Sequence, residues 1–236
     1  MKNEKYYIDN YLERYINYQY KTNKNNKEVI SDVNCNRDYE YYSLNNKADK
    51  QLNNLILVNK YYKLDKDYIP DDLVEIDKKY SVKGSIKKEV NDSFIKMCDD
   101  ALKLNLHIIN ASPYRSYERQ KKIYDNYYKE KKELVEQVSA RPGYSEHQTG
   151  LAMDFRNLEV DIEDFGNTYE FKWLLDNAYK YGFILRYPKG KENLTGYNYE
   201  PWHYRYVGYE VAKYIYENDI TFDEYYAYFI ENKKRG

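Results

Sequence analysis

The sequence predicts an α+β protein in which helices flank a small, mainly antiparallel sheet. Amphipathic helical segments and short strand-like runs both occur along the chain, and they do not alternate as regular βαβ units. Hydrophobic residues make up 42% of the 236 residues and charged residues 33%, which suits a packed core under a solvated surface. The length suits one domain, or one domain with an N-terminal extension.

The first fifty residues are predicted to form an N-terminal appendage that is partly helical and partly irregular. Residues 6–20 carry apolar side chains at helical spacing. This stripe consists of Ile8, Leu12, Tyr15, Ile16 and Tyr20. Residues 21–50 are rich in Asn and Lys with weak periodicity, so loops and short strands are expected there. We therefore divide the chain into an appendage, residues 1–50, and a main domain, residues 51–236.

The main domain is predicted to combine short strands with amphipathic helices. A strand-type run at residues 55–58 precedes a helix at residues 87–104, whose apolar face consists of Val90, Phe94, Met97, Cys98, Ala101 and Leu102. A buried strand is expected at residues 106–109, and Ser116 can cap the helix that follows it. Further strands are predicted at residues 151–155, 183–185 and within 201–207. A helix with Phe171, Leu174, Leu175 and Ala178 inward is followed by Gly182, and Thr221 with Glu224 forms a capping box for the last helix.

Charge and hydropathy argue against two classes of partner. The chain has 38 basic and 39 acidic residues, so no net field attracts nucleic acid or an anionic lipid surface. No apolar stretch is long enough to span a bilayer, and the polar N-terminus does not resemble a signal peptide.

The two cysteines, Cys35 and Cys98, belong to no paired motif. Cys98 is expected to be buried, and a disulfide between the two stays open.

Residues 145–154, with the sequence SEHQTGLAMD, contain the first candidate metal ligands. His147 stands seven positions before Asp154, and zinc takes imidazole nitrogen and carboxylate oxygen as ligands. If residues 151–155 form a strand, its apolar side chains face the core while Asp154 points into a cleft. Gly150 then allows the preceding loop to turn His147 back toward Asp154. Taken singly, such an aspartate is more often a turn residue and such a histidine more often a half-buried ring.

His203, within residues 199–204 (YEPWHY), supplies a third candidate ligand. The chain has three histidines, and His107 lies in a strand pattern without acidic neighbours, which favours a structural role for it. Three protein ligands leave one coordination position open for water, whereas structural zinc is fully ligated and usually held by cysteines. Glu200, three residues before His203, is placed to take a proton from that water. The sequence therefore predicts a zinc site in a cleft.

These residues also resemble a known family. The segments SEHQTGLAMD (145–154), EPWHYRYVG (200–208) and SPYRS (112–116) with Gln120 are similar to the VanY-type D-alanyl-D-alanine carboxypeptidases. LVNK (57–60) and YGFILRYPKGK (181–191) extend the resemblance to roughly residues 52–230. It implies that the zinc ligands are His147, Asp154 and His203. It further implies that Glu200 is the general base, that Arg115 polarises the scissile carbonyl, and that Gln120 and Ser145 help to hold the substrate's terminal carboxylate and peptide.

The resemblance makes residues 51–236 an expected zinc carboxypeptidase domain that removes the terminal D-alanine from peptidoglycan stem peptides ending in D-Ala-D-Ala. Three alternatives stay open: L,D-carboxypeptidase action on tetrapeptide stems, endopeptidase cleavage within the stem, and a non-catalytic peptidoglycan-binding module with structural zinc. The intact Glu200 argues against the last. The family is typically exported and often membrane-tethered. We therefore expect action at the extracellular face or cell wall of a bacterium, with a membrane anchor that this chain lacks.

Overall fold

The computed structural model describes residues 1–235 as a mixture of short strands and helices, which confirms the predicted α+β class. The strands are β1 (Asn46–Lys47), β2 (Tyr62–Lys63), β3 (Leu73–Glu75), β4 (Ser85–Lys87), β5 (Ile109–Ser112), β6 (Ala152–Arg156), β7 (Phe183–Leu185) and β8 (His203–Tyr206). The α-helices are α1 (Leu12–Thr22), α2 (Asn26–Asn34), α3 (Lys88–Leu102), α4 (Tyr117–Lys131), α5 (Val135–Val138), α6 (Tyr169–Asn177), α7 (Glu192–Thr195), α8 (Tyr209–Asn218), α9 (Phe222–Tyr226) and α10 (Asn232–Arg235).

The central sheet has four strands in the order β5–β6–β8–β7, and each neighbouring pair is antiparallel. The pairs β1–β2 and β3–β4 form two smaller sheets. In the central sheet, Asp154 of β6 pairs with His203 of β8 on one side and with Ser112 of β5 on the other. The predicted small, mainly antiparallel sheet is therefore confirmed, and its register sets two predicted metal ligands opposite each other.

The main hydrophobic core packs against one face of this sheet. Leu151, Met153 and Phe155 are buried in it, as the alternation along the strand predicted. Phe155 stacks on Tyr204 of β8, with ring centroids 4.7 Å apart, and on Phe94 of α3, with centroids 5.3 Å apart. The same strand thus anchors the core with one face and leaves Asp154 on the other.

Local signals at helix ends behave as predicted. The Ser116 side chain accepts a hydrogen bond from the backbone N–H of Arg119 at the start of α4. Thr221 and Glu224 form the reciprocal capping box of α9. Gly182 adopts a positive φ of 82°, and a Cβ there would lie 2.6 Å from the Tyr206 ring. A glycine is therefore required both by the backbone conformation and by the close ring.

The N-terminal segment is more helical than predicted. Helix α2 occupies part of the stretch in which loops and short strands were expected, and a capping box between Asn25 and Glu28 starts it. In the first predicted helix, α1 begins only at Leu12. Ile16 is 54% exposed and Tyr20 92% exposed, so assigning them to one stripe with the buried residues was wrong.

Helix α2 contacts the C-terminal part of the chain. Ser31 donates a hydrogen bond to Glu224 at 2.7 Å, and the Asn193 amide donates one to Asp32 at 2.6 Å. The division of the chain near residue 50 stays a prediction.

Other differences concern single segments. Residues 56–58 are buried but belong to none of the described strands, and the strand expected at residues 106–109 begins only at Ile109. Leu175, expected to face inward, is 43% exposed. Both cysteines are free and buried, as was predicted for Cys98. Within residues 1–235, no helix combines the length and the apolar character needed to cross a membrane.

Candidate active site

Three buried side chains converge beside strands β6 and β8. One potential ligand atom from each of His147, Asp154 and His203 lies within 4.8 Å of the other two. Oδ1 of Asp154 is 3.4 Å from Nε2 of His147 and 3.1 Å from Nδ1 of His203. The structure therefore brings together the three side chains that the sequence predicted as metal ligands.

Sheet register and one turn produce this convergence. Asp154 and His203 are direct partners across β6 and β8, so their side chains leave the same face of the sheet. His147 lies in a 3-10 turn at Glu146–Thr149, which ends at Gly150 with a φ of 67°. Because glycine adopts this left-handed conformation readily, the chain can reverse between His147 and β6.

The donor atoms fit a divalent cation such as zinc. The Nδ1 atom of His147 lies 2.9 Å from the Pro113 carbonyl oxygen, which leaves Nε2 facing Asp154. Oδ1 of Asp154 is buried and has no hydrogen-bond partner among the described residues, although two imidazole nitrogens surround it. Two nitrogens and a carboxylate oxygen are a ligand set that zinc accepts.

The electrostatics around these groups are strongly perturbed. Burial and the nearby Arg115 cation lower the pKa of His147. Burial alone would also lower the pKa of His203, but the adjacent Asp154 and Glu146 carboxylates raise it to about 9. Burial opposes ionisation of Asp154, yet the two histidines hold its pKa well below the usual range. The pocket therefore favours an ionised carboxylate and positive charge beside it.

Glu200 lies at the edge of this cluster. Its Oε2 atom is 3.7 Å from Nδ1 of His203, and its side chain keeps 13% of its surface exposed. Burial raises its pKa to about 7, with His203 and Arg115 opposing the shift and Asp154 adding to it. A carboxylate with a pKa near neutrality both accepts and returns a proton readily, which is the property of a general acid–base group.

Arg115 is held in a fixed orientation beside Asp154. Its Nη1 donates to the Gln120 side-chain oxygen at 2.8 Å, its Nη2 donates to Ser112 Oγ at 3.0 Å, and Nη2 lies 3.7 Å from Asp154 Oδ2. The Gln120 amide nitrogen in turn donates to the Ala140 carbonyl at 2.7 Å. Gln120 therefore orients Arg115, a contact that the sequence did not indicate.

All seven predicted site residues line one cavity of about 450 Å³, within the usual range for a small-molecule site. They are Arg115, Gln120, Ser145, His147, Asp154, Glu200 and His203. Aromatic rings of Tyr187, Tyr197 and Trp202 form part of the wall. His107 is exposed and is not among the lining residues of this cavity, and the structural role predicted for it stays a prediction.

Sequence reasoning gave no role to four buried charged side chains beside the cavity, one of which, Glu146, is among its lining residues. Glu146, Arg186, Arg205 and Asp223 form a buried ionic cluster, and Glu146 also faces His203. Their positions are far apart in sequence. The one local signal was the position of Glu146 directly before His147.

An α+β fold with a His/Asp/His cluster and a perturbed glutamate in one cleft defines a candidate hydrolase of metal-dependent type. The chain belongs to the VanY family, described as D-alanyl-D-alanine carboxypeptidase, whose family model matches residues 83–209.

Individual relatives agree with this membership. YodJ of Bacillus subtilis (strain 168), which carries a provisional carboxypeptidase name, is 49% identical over 183 residues, covering 74% of this chain and 67% of YodJ. The structure of the LD-carboxypeptidase LdcB superposes with a TM-score of 0.71 at 47% identity, covering 77% of this chain and 89% of LdcB. A zinc complex of a variant of the vancomycin-resistance D,D-pentapeptidase VanY gives a TM-score of 0.64 at 36% identity, covering 73% and 98%.

Proposed function

We propose that this protein is a zinc-dependent carboxypeptidase that removes a C-terminal D-alanine from peptidoglycan stem peptides at the cell wall of a bacterium. The observation that carries the proposal is the convergence of His147, Asp154 and His203 in a cleft, with Glu200 close by. Family membership supports the carboxypeptidase reaction, and the zinc complex of VanY supports the metal.

The proposed ligand atoms are Nε2 of His147, a carboxylate oxygen of Asp154 and Nδ1 of His203. When bound, zinc supplies Lewis-acid chemistry that makes a water a better nucleophile at neutral pH. Glu200 takes the proton of the attacking water and delivers it to the nitrogen of the departing D-alanine. Its pKa of about 7 suits both halves of this transfer.

Arg115 is proposed to donate N–H groups to the oxygen of the scissile carbonyl as negative charge develops on it. Its bonds to Gln120 and Ser112 preorganise the guanidinium, so little reorganisation is needed during the reaction. Ser145, which lines the same cavity, and Gln120 are proposed to help hold the substrate peptide and its terminal carboxylate.

The cleavage site within the stem has two candidates. The sequence analysis favours pentapeptides ending in D-Ala-D-Ala, and the likeness to the D,D-pentapeptidase VanY agrees with that choice. L,D-cleavage of tetrapeptides is the second candidate, because identity and TM-score are both higher against LdcB, an LD-carboxypeptidase. The proposed zinc chemistry is the same for both, since only the residue before the cut differs.

A catalytic metal is favoured over a structural one. The proposed set has three protein ligands, the number typical of catalytic zinc sites. Oε2 of Glu200 lies 3.7 Å from Nδ1 of His203, the proposed ligand atom, and part of the Glu200 side chain stays exposed in the cleft. A membrane anchor outside this chain stays a prediction.

The test uses purified protein with muropeptides that end in D-Ala-D-Ala or in a single D-alanine, in the presence of zinc and after chelation. We expect D-alanine release from one or both, and loss of release on chelation that added zinc reverses. Glu200→Gln should keep one zinc per chain and lose on the order of 10³-fold in kcat. Absence of release from either peptide by the zinc-loaded protein would refute the proposal.

A further inference from the structure

A buried ionic cluster supports the candidate metal site from behind. The side chains of Glu146, Arg186 and Arg205 have no exposed surface, and that of Asp223 is 3% exposed. Glu146 Oε1 accepts from Arg186 Nε and from Arg205 Nη1, each at 2.8 Å. Burying four charges is expensive, and stability alone does not require such a cluster in a core.

The second oxygen of Glu146 is the unusual feature. Among the described residues, Oε2 has no hydrogen-bond partner, and neither does Nε2 of His203, which lies 3.6 Å away. Both atoms are buried, so each would carry a desolvation penalty unless they were partners. If Glu146 served only to pair with the two arginines, its Oε1 atom would suffice, since Oε1 accepts from both. Such a role does not explain why Oε2 faces His203.

The two candidate metal-binding imidazoles present opposite nitrogens to Asp154. His147 uses Nε2, and its Nδ1 contacts the Pro113 carbonyl oxygen. His203 uses Nδ1, so its Nε2 needs a separate acceptor to fix the tautomer. Glu146 Oε2 is the acceptor that the structure places there.

We propose that Glu146 is a positioning residue for the metal: its Oε2 accepts the Nε2–H of His203, which leaves the Nδ1 lone pair directed at the cation. This inference rests on the proposed function, because it assumes that His203 is a ligand. The 3.6 Å separation is longer than a formed hydrogen bond. Bound to a cation through Nδ1, His203 would have its Nε2–H within hydrogen-bond distance of Oε2 of Glu146.

The two arginines keep the Glu146 carboxylate ionised and prevent its rotation. Arg186 is held by Asp223 at 2.5 Å, and Arg205 donates to the backbone carbonyls of Asn54 and Ile56 at 2.9 and 2.7 Å. With Oε1 held between both guanidinium groups, Oε2 has one direction to point, toward His203. An acceptor that is fixed in this way orients a ligand ring more sharply than a mobile surface carboxylate would.

The experiment compares Glu146→Gln with Asp223→Asn. Both changes neutralise one carboxylate of the same buried cluster, but only Glu146 faces His203. Zinc affinity is measured by competition with a chromogenic chelator, and urea unfolding of the metal-free proteins gives their stability. We expect Glu146→Gln to weaken zinc binding on the order of 10–100-fold. Asp223→Asn should change it less than about threefold while lowering stability, because Arg205 still holds Oε1 of Glu146 in that variant. Equal losses of affinity in the two variants, or unchanged affinity in Glu146→Gln, would overturn the inference.

A second measurement needs no variant of Glu146 and therefore survives a folding defect. Spectra of ¹⁵N-histidine in the zinc-loaded wild-type protein report which nitrogen of each ring carries the proton. We expect His203 to be protonated at Nε2 and His147 at Nδ1, with assignment through His203→Asn and the remote His107→Asn. Protonation of His203 at Nδ1 would contradict the inference. If the wild-type protein binds no zinc, the proposed function itself fails, which distinguishes the two outcomes.

Discussion

Replacing Arg115 with alanine is expected to reduce kcat on the order of 10²–10³-fold with a smaller effect on KM. The guanidinium lies 3.7 Å from Asp154, at the edge of the proposed ligand set, and its side chain is 15% exposed. A unit charge about 4 Å from a developing oxyanion contributes about 4 kcal/mol at an effective dielectric constant of about 20. This corresponds to roughly a thousandfold in rate.

The assay follows D-alanine release under steady-state conditions, with zinc content measured on the same samples. Arg119→Ala is the matched control, because it removes the same charge from the exposed first turn of α4. Zinc content should stay at one per chain in both variants. If kcat of Arg115→Ala stayed within about threefold of the wild type, Arg115 would have no role in stabilising charge, and the reasoning would be refuted.

Three further predictions follow from the same geometry. Because Glu200 must be ionised to act as base, kcat/KM should fall about tenfold per pH unit on the acidic side of the Glu200 pKa, which burial raises to about 7 and which a bound cation lowers. A profile with no acidic limb at any pH at which the protein stays folded and zinc-loaded would remove Glu200 from the role. Despite burial, the Asp154 and Glu146 carboxylates raise the pKa of His203 to about 9 without a cation, so zinc binding near neutral pH should release at least one proton, to which Glu200 also contributes. Calorimetry in buffers of different ionisation enthalpy measures this release, and no buffer dependence would count against His203 as a ligand. Phe155→Ala should lower the free energy of unfolding, measured by urea denaturation, by about 3–5 kcal/mol, because the ring is fully buried between Phe94 and Tyr204. A loss below about 1 kcal/mol would instead show that neighbouring side chains fill the cavity.

The candidate ligands could be predicted because two short local patterns encode them. The alternation of Leu151, Met153 and Phe155 fixed the face from which Asp154 projects, and the structure bears this out. Alternating side-chain direction is a property of any strand, so the face from which a residue projects can be predicted without knowing the strand's neighbours. His203 followed from composition, since few other histidines were available.

The ionic cluster could not be predicted in the same way. Its members come from the turn before β6, from the position directly after β7, from β8 and from α9, and no spacing relates Glu146 to Asp223. Charged residues are usually assigned to the surface, so their complete burial is evident only from tertiary packing. The start of α2 is different, since Asn25 and Glu28 form a capping box whose spacing is visible in the sequence.

Residues 56–58 illustrate a further limit. The run is apolar and buried, a pattern that predicts a central strand. It nevertheless belongs to none of the described strands. Over so short a stretch, a buried strand and a buried loop have the same apolar sequence pattern. Only the backbone hydrogen bonds of the folded chain distinguish the two. Here the carbonyl of Ile56 instead accepts from Arg205, so the segment serves the ionic cluster.

The register of β8 links the metal site to that cluster. His203 and Arg205 are two residues apart and therefore project from the same face of the strand, while Tyr204 packs in the core on the other face. Glu146 spans this polar face, since Oε1 contacts Arg205 and Oε2 faces His203. If the pairing of β8 slipped by one residue, Tyr204 would lie opposite Asp154, and the side chains of His203 and Arg205 would point into the apolar core. The core thus fixes the register, and the register places the candidate ligand and its supporting charge on the same side of the sheet.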